Sequence, residues 1–344
     1  MRIFPILFFL LYVAPLSAQS DFLKDPDIVW AAELEQDWIV DVTSLEAEWD
    51  SGITTLKLLR TSKNEAYWSS AYLADLVFQA AMNGQLPVFK DPLCQQALAI
   101  ENIYPGKDTI VTFDPETYEE KKAIVWVEPM PLYEFKAWRL RQVLAYHRKD
   151  ARWSTTVEAI APLFTVKNSN GDSIGLRPLF WFRPDNKRQN LHSNHVVWAK
   201  QVVNRGPRTQ LILDDLKLVK VTDGFQRPME HQIRTLGNNF KIPFYGHDNE
   251  PLLTDKQRQE MISRTDTVVT FDPETYEETI QVVHNELNAS QVRKLRLIQN
   301  WYWDERKHQL SICLNVAGAL IDVLGNDGNY RYTMPLFYRR AKGK

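Results

Sequence analysis

Apolar and polar positions alternate along this chain in two distinct rhythms. In NEAYWSSAYLADLVFQAAMNG, residues 64–84, Tyr72, Leu73, Leu76, Val77 and Ala80 recur at helical spacing, and Gly84 stands where a helix takes its C-terminal glycine. Elsewhere the rhythm is two. TIVTF (109–113) is β-branched and aromatic, DPET (114–117) is a type I turn with Pro115 second, and EEKKAIVWV (119–127) returns, so a hairpin is expected. NELNASQV offers Asn288 or Ser290 as the cap of a short helical turn. Strands are expected over KLRLIQNWYW (294–303), QLSICLNVAGALIDVL (309–324) and NYRYTMPLFYR (329–339). The last two are joined by GNDG, answered earlier by NSNG (168–171), and both carry the Asn/Asp-Gly hairpin signal.

These elements come in two sets. DTIVTFDPETYEE (108–120) returns as DTVVTFDPETYEE (266–278), with 12 of 13 positions identical. Downstream, residues 135–182 align without a gap to 292–339, with 10 of 48 identical, including Gln142/Gln299, Gly171/Gly328 and Phe180/Phe337. LPVF (86–89) answers IPFY (242–245), and DIVWA (27–31) answers HVVWA (195–199). Self-similarity of this kind organises a chain before any single element does. The expectation is an α+β protein of two tandem related units, each a short helical part packed on an antiparallel β meander with hairpins. Unit one spans 25–184 and unit two 195–342, joined by a polar linker at 185–194.

The start of the chain follows neither rhythm. Met1 and Arg2 lead into the nearly unbroken apolar run Ile3–Leu16, and Ser17 and Ala18 follow, which reads as a signal peptide over 1–18. The first cysteine is Cys94, so no cysteine at the cleavage junction takes a lipid, and an exported protein is expected. Without the leader there are 40 basic against 43 acidic residues, a balance that offers no clustered cationic footprint for nucleic acid or an anionic membrane. Cys94 and Cys313 fall at non-equivalent places in the two units and are treated as unpaired.

Candidate chemistry is sparse. The acidic cluster Asp114, Glu116, Glu119, Glu120 lacks the alternate oxygens, central glycine and twelfth-position glutamate of a calcium loop, and alternation sends Glu119 and Glu120 to opposite faces. A solvated hairpin tip that docks a partner fits it better. No metal site is read from the seven histidines, and His147 and His308 are placed at strand ends facing solvent. There is no Gly-x-Ser-x-Gly elbow, no Walker loop, and no His beside either cysteine. No catalytic residue, cofactor or metal is therefore assigned. Of the tryptophans, Trp138, Trp153 and Trp181 align with Leu295, Leu310 and Tyr338, which marks positions that want apolar volume. Trp30 and Trp198 match as Trp in both units and stay candidates for a special role.

The run FDPETYEETIQVVHNELNASQVRKLRLIQNWYWDERKHQL resembles the GldN/PorN proteins of type IX secretion and gliding motility. The residues that carry it are Asp272, Pro273, Thr275 and Tyr276, then Glu286, Leu287 and Asn288, then Arg296, Leu297, Trp301, Trp303 and Asp304. IAPLF (160–164), RPLFWFRPD (177–185) and DIVW with Trp38 and Asp41 are similar to further segments of that family. The resemblance implies a non-enzymatic periplasmic scaffold in a hetero-oligomer. Its partners would be an outer-membrane-anchored ring lipoprotein and an inner-membrane-anchored core protein, with neither nucleic acid nor direct membrane insertion. The partner contacts expected are Asp114, Glu116 and Tyr118 in the first hairpin, Asp272, Glu274 and Tyr276 in the second, and Trp30 and Trp198. The alternative is a two-module periplasmic protein that binds carbohydrate or peptidoglycan on aromatic surfaces.

Overall fold

The computed structural model describes residues 22–38, 53–61, 73–99, 108–113, 117, 120–125, 137–167, 173–190, 193–204, 211–222, 224–246, 252–271, 275, 277–324 and 328–341. The fold is α+β, built on antiparallel sheets with three short α-helices among the described residues. The strands are β1 (Ile28–Trp38), β2 (Ile53–Thr61), β3 (Asp108–Phe113), β4 (Glu120–Val125), β5 (Ala137–His147), β6 (Arg152–Lys167), β7 (Ser173–Pro178), β8 (Val196–Asn204), β9 (Leu211–Ile212), β10 (Lys217–Val221), β11 (Ser263–Phe271), β12 (Glu278–Glu286), β13 (Lys294–Asp304), β14 (Gln309–Leu324) and β15 (Tyr330–Arg340). The helices are α1 (Leu73–Met82), α2 (Pro228–Asn238) and α3 (Asp255–Ile262).

Two large sheets share one plan. The first has the order β10-β1-β5-β6-β7, and the second β15-β14-β13-β8-β2. Strands β5, β6 and β7 begin at Ala137, Arg152 and Ser173, and β13, β14 and β15 begin 157 positions later at Lys294, Gln309 and Tyr330. Irregularities repeat at the same interval. The β5–β6 register slips between Arg141 and Gln142, and the β13–β14 register slips between Ile298 and Gln299. Ala151 and His308, the last residues of the two connecting turns, both hold φ of 49°. Such conformations are costly for non-glycine residues, so finding both at one turn position marks a shared backbone path.

The edge strands cross over. β2, which precedes β5–β7 in the chain, pairs with β8 and closes the second sheet, while β10, which follows β8, pairs with β1 and closes the first. Each sheet thus takes one border strand from the part of the chain that builds the other. One core joins them, running from Trp38, Trp138 and Trp153 through Leu73 and Val77 of α1 and Ile233 and Leu236 of α2 to Trp301, Trp303 and Leu310. At its centre Gln299 Nε2 donates to Gln142 Oε1 over 2.8 Å, two residues at matching bulges and both fully buried.

Local chemistry explains where the helices stop. α1 ends as the spacing predicts, with Gly84 at φ 69° and its N–H on the Ala81 carbonyl. α2 opens on Pro228 at its first turn and buries Met229, Ile233 and Leu236. Its final carbonyls are taken by Arg258 of α3, whose Nε donates to Leu236 O at 2.8 Å and Nη2 to Asn239 O at 2.9 Å. α3 starts in a full capping box, Thr254 with Gln257. The turn after β12 is a 3-10 helix, Ala289–Gln291, capped by Asn288. No helix among the described residues is long and apolar enough to cross a membrane.

Candidate partner-binding surfaces

Both near-identical segments form hairpins. β3 and β4 pair from Asp108↔Val125 to Phe113↔Glu120, and β11 and β12 pair from Ser263↔Glu286 to Phe271↔Glu278. Of the residues expected to contact partners, Asp114, Glu116, Tyr118, Asp272, Glu274 and Tyr276 lie outside the described residues; Thr117 and Thr275, between them, are exposed. A two-stranded ribbon is marginal by itself in water. The second one shows solvent an apolar face, where Ile280 is 63% exposed beside exposed Val269 and Val282. Val269 and Ile280 face one another in the register, so these side chains form a contiguous strip.

A second exposed strip lies on β15, the border strand of its sheet. Tyr330, Tyr332 and Met334 alternate along one face, with Tyr330 56% exposed, and Leu324 pairs directly with Tyr330. Lys294 reaches into this area, with its ammonium on Asp322 at 2.7 Å and 5.8 Å from the Tyr330 ring centre. In the internal alignment these side chains have no apolar counterparts. Ser173, Gly175 and Arg177 of β7 stand at the corresponding positions. Sequence reasoning passed over this strip, although the comparison of β7 with β15 held the signal. Border strands with apolar faces are where chains add to one another unless something blunts them.

The remaining candidates are interior. Trp30 and Trp198 are 2% and 3% exposed and pair across strands with Tyr146 and Trp303 respectively, so each is a core aromatic. The Trp30 ring meets Trp153 edge to face at 5.6 Å. His147 corrects an expectation. It is buried rather than solvent-facing, with Nε2 on Ser154 Oγ at 2.8 Å and Nδ1 3.4 Å from the Asp27 carboxylate. His308 closes a turn and is partly exposed. His231 stands on α2 with Nδ1 2.9 Å from Tyr146 Oη, and burial, with Arg148 and Arg234 nearby, pulls its pKa below the ordinary value. Cys94 and Cys313 are free thiols, each pushed up to about 11 by burial. A thiolate is therefore disfavoured at both. Among the described residues no three of His, Cys, Asp and Glu converge as a metal site would need.

With strands, borders and hairpins in place, one comparison bears on what they serve. Residues 49–216 match the model of a family described as gliding motility associated protein GldN. This is a GldN-like chain. The matched span holds β2, α1, the first hairpin, β5–β7, β8 and β9, so it takes in IAPLF and RPLFWFRPD. The second hairpin and β13–β15 of the GldN-like chain, including the run from Phe271 to Leu310, lie beyond the match. No curated protein matches the sequence.

Proposed function

We propose that this GldN-like chain is a non-enzymatic periplasmic scaffold of a type IX secretion or gliding-motility complex. It acts by protein–protein contact. Its partners are an outer-membrane-anchored ring lipoprotein and an inner-membrane-anchored core protein. The observation that carries this reading is the family match over residues 49–216. Two features of the fold support it. The units at 25–184 and 195–342 read as copies of one plan, since strand starts, bulges and turn conformations recur at one interval. The apolar strips on β15 and on the second hairpin supply surface of the kind that buries against another protein.

Affinity purification from a crosslinked cell envelope tests the reading. Wild type brings down a membrane-anchored lipoprotein, and Tyr330→Ser/Tyr332→Ser loses it while the protein is still exported and folded. Recovery of the chain alone from crosslinked envelopes refutes the scaffold role. The glycan-binding alternative needs Trp30 and Trp198 at the surface, and both rings are covered by the chain's own core.

A further inference from the structure

A cleft of about 340 Å³ lies where the end of β15 meets the start of β6 and the segment after β7. Its lining holds four guanidinium groups, Arg152, Arg188, Arg339 and Arg340, and no carboxylate. Arg188 and Arg340 are exposed, whereas Arg339 is 1% exposed. Arg339 spends two donors on backbone, Nη1 on Pro243 O at 2.6 Å and Nη2 on Asp150 O at 2.7 Å, and packs over the Phe244 ring at 5.3 Å. Three further donors on the cleft residues are buried without a hydrogen-bond partner among the described residues: Arg339 Nε, Arg152 Nε and the Thr155 hydroxyl. Burial, followed by the neighbouring Arg152 charge, drives the Arg339 pKa down to about 10. Buried cations are ordinarily paired; the Asp150 carboxylate acts on Arg339 from outside the lining, and among the described residues no carboxylate lines the cleft itself.

The matching place on the other sheet shows what is different. There the chain closes the border itself: Asp185 N donates to Leu310 O and Ile312 N to Asp185 O, both at 2.8 Å, and Gln189 Nε2 donates to Ser311 Oγ at 2.9 Å. Leu310 and Ile312 align with Trp153 and Thr155 on β6, where the arginines gather instead. At the position of Arg339 the first unit has Phe182, a core residue, and at Arg152 the second has Gln309. Three of the arginines, Arg152, Arg339 and Arg340, thus come from β6 and β15, while Cys313, Leu314 and Asn315 of β14 line the same cleft without a charge.

We propose that this cleft is an anion site, in which Arg152, Arg339 and Thr155 take the oxygens of one carboxylate or phosphate group and Arg188 and Arg340 flank its mouth. Guanidinium forks suit both chemistries, and the volume lies at the small end of ligand pockets, which span roughly 300–1,000 Å³. The site stands whether or not the chain assembles with the partners proposed above.

Calorimetric titration of the full chain, with inorganic phosphate in one arm and a short Asp/Glu peptide in the other, tests it. Saturable one-to-one binding in either arm is expected, weakened at least tenfold by Arg152→Gln and unchanged by Arg331→Gln on exposed β15. Binding of phosphate marks a small free anion as the source; binding of the peptide alone marks a carboxylate borne by a protein partner. Alkylation of Cys313, which lines the cleft, by N-ethylmaleimide also slows when the ligand is bound. Arg339→Gln removes two backbone bonds as well, so Arg152→Gln and its partial rescue by Arg152→Lys carry the result. Absence of binding in both arms, or binding indifferent to Arg152→Gln, overturns the proposal.

Discussion

The Gln142–Gln299 pair gives the most direct test of how the two sheets are joined. Gln299 is fully buried and serves two partners: its Nε2 donates to Gln142 Oε1 at 2.8 Å, and its Oε1 accepts from Trp301 Nε1 at 3.2 Å. Gln299→Leu orphans a buried acceptor and a buried donor at once. Each orphan costs about 1–3 kcal/mol, offset in part by the added apolar volume, so a net loss of about 2–4 kcal/mol is expected. Gln142→Leu orphans only Gln299 Nε2, because Gln142 Nε2 already has no partner among the described residues. Its expected cost is smaller, about 1–2 kcal/mol. The double variant removes both amides and leaves Trp301 Nε1 as the one new orphan. It should therefore lose less than the sum of the singles, by about 1–3 kcal/mol, which is the size of coupling measured for residues in contact. Urea unfolding followed by tryptophan fluorescence supplies all four corners of the cycle. If the double variant equals the sum to within ~0.5 kcal/mol, the two glutamines do not meet across the sheets and the reasoning fails.

Three further outcomes follow from the same packing. A Cβ added at Gly318 would lie 2.5 Å from Tyr338 Cδ1 and 3.2 Å from Cζ, and the ring is tethered by Arg296 Nη1 on its hydroxyl at 3.1 Å. Gly318→Ala should cost about 1–3 kcal/mol in chemical denaturation, and a change below ~0.5 kcal/mol would show the ring free to move. Burial, with Arg148 and Arg234 nearby, lowers the His231 pKa from 6.5 in the fold. Below 6.5 the unfolded chain takes up the proton and the folded chain resists it, so stability is flat above that pH and falls as pH drops beneath it. Melting curves from pH 8 to 5 should show the fall, and His231→Gln should flatten it; an unchanged slope in the variant refutes the assignment. Expressed separately, residues 25–184 and 195–342 should each aggregate or unfold without cooperativity, since each large sheet then lacks a border strand, β10 or β2, and the shared core is split. Co-expression should restore a soluble pair, whereas a cooperative monomer from either fragment alone would contradict the crossing of strands.

How much of this could be read in advance depends on what local pattern encodes. Period-two alternation and turn residues located β13, β14 and β15 almost to the residue, both hairpins, and the glycine that ends α1. The other helices were passed over for different reasons. α2 offers only Met229, Ile233 and Leu236 as an apolar stripe within 11 residues, and α3 buries little besides Arg258. Its capping box, Thr254 with Gln257, was the available signal. Expecting His147 at the surface went astray because a strand end is exposed only when nothing crosses it, and Asp27 and Ser154 do.

The crossing of β2 and β10 was not legible at all, and the reason is general. Alternation fixes which face of a strand is buried; it does not name the neighbour that completes the ladder. Residues 53–61 and 217–221 are short, and the backbone donors and acceptors through which they pair are the same in every strand. The cationic cleft escapes for a related reason. Arg152, Arg188 and the pair Arg339–Arg340 belong to three separate segments, each unremarkable in its own sequence context. Only the folding of β15 against β6 makes them neighbours. Where the aligned segments share one strand plan, the informative positions are those where they differ: Tyr330, Tyr332 and Met334 against Ser173, Gly175 and Arg177, and Arg339 against Phe182. Matched residues such as Trp30 and Trp198, or Gln142 and Gln299, turn out to serve the common fold. The unmatched ones are free of that duty, and they hold both the exposed strip and part of the arginine cluster of the cleft.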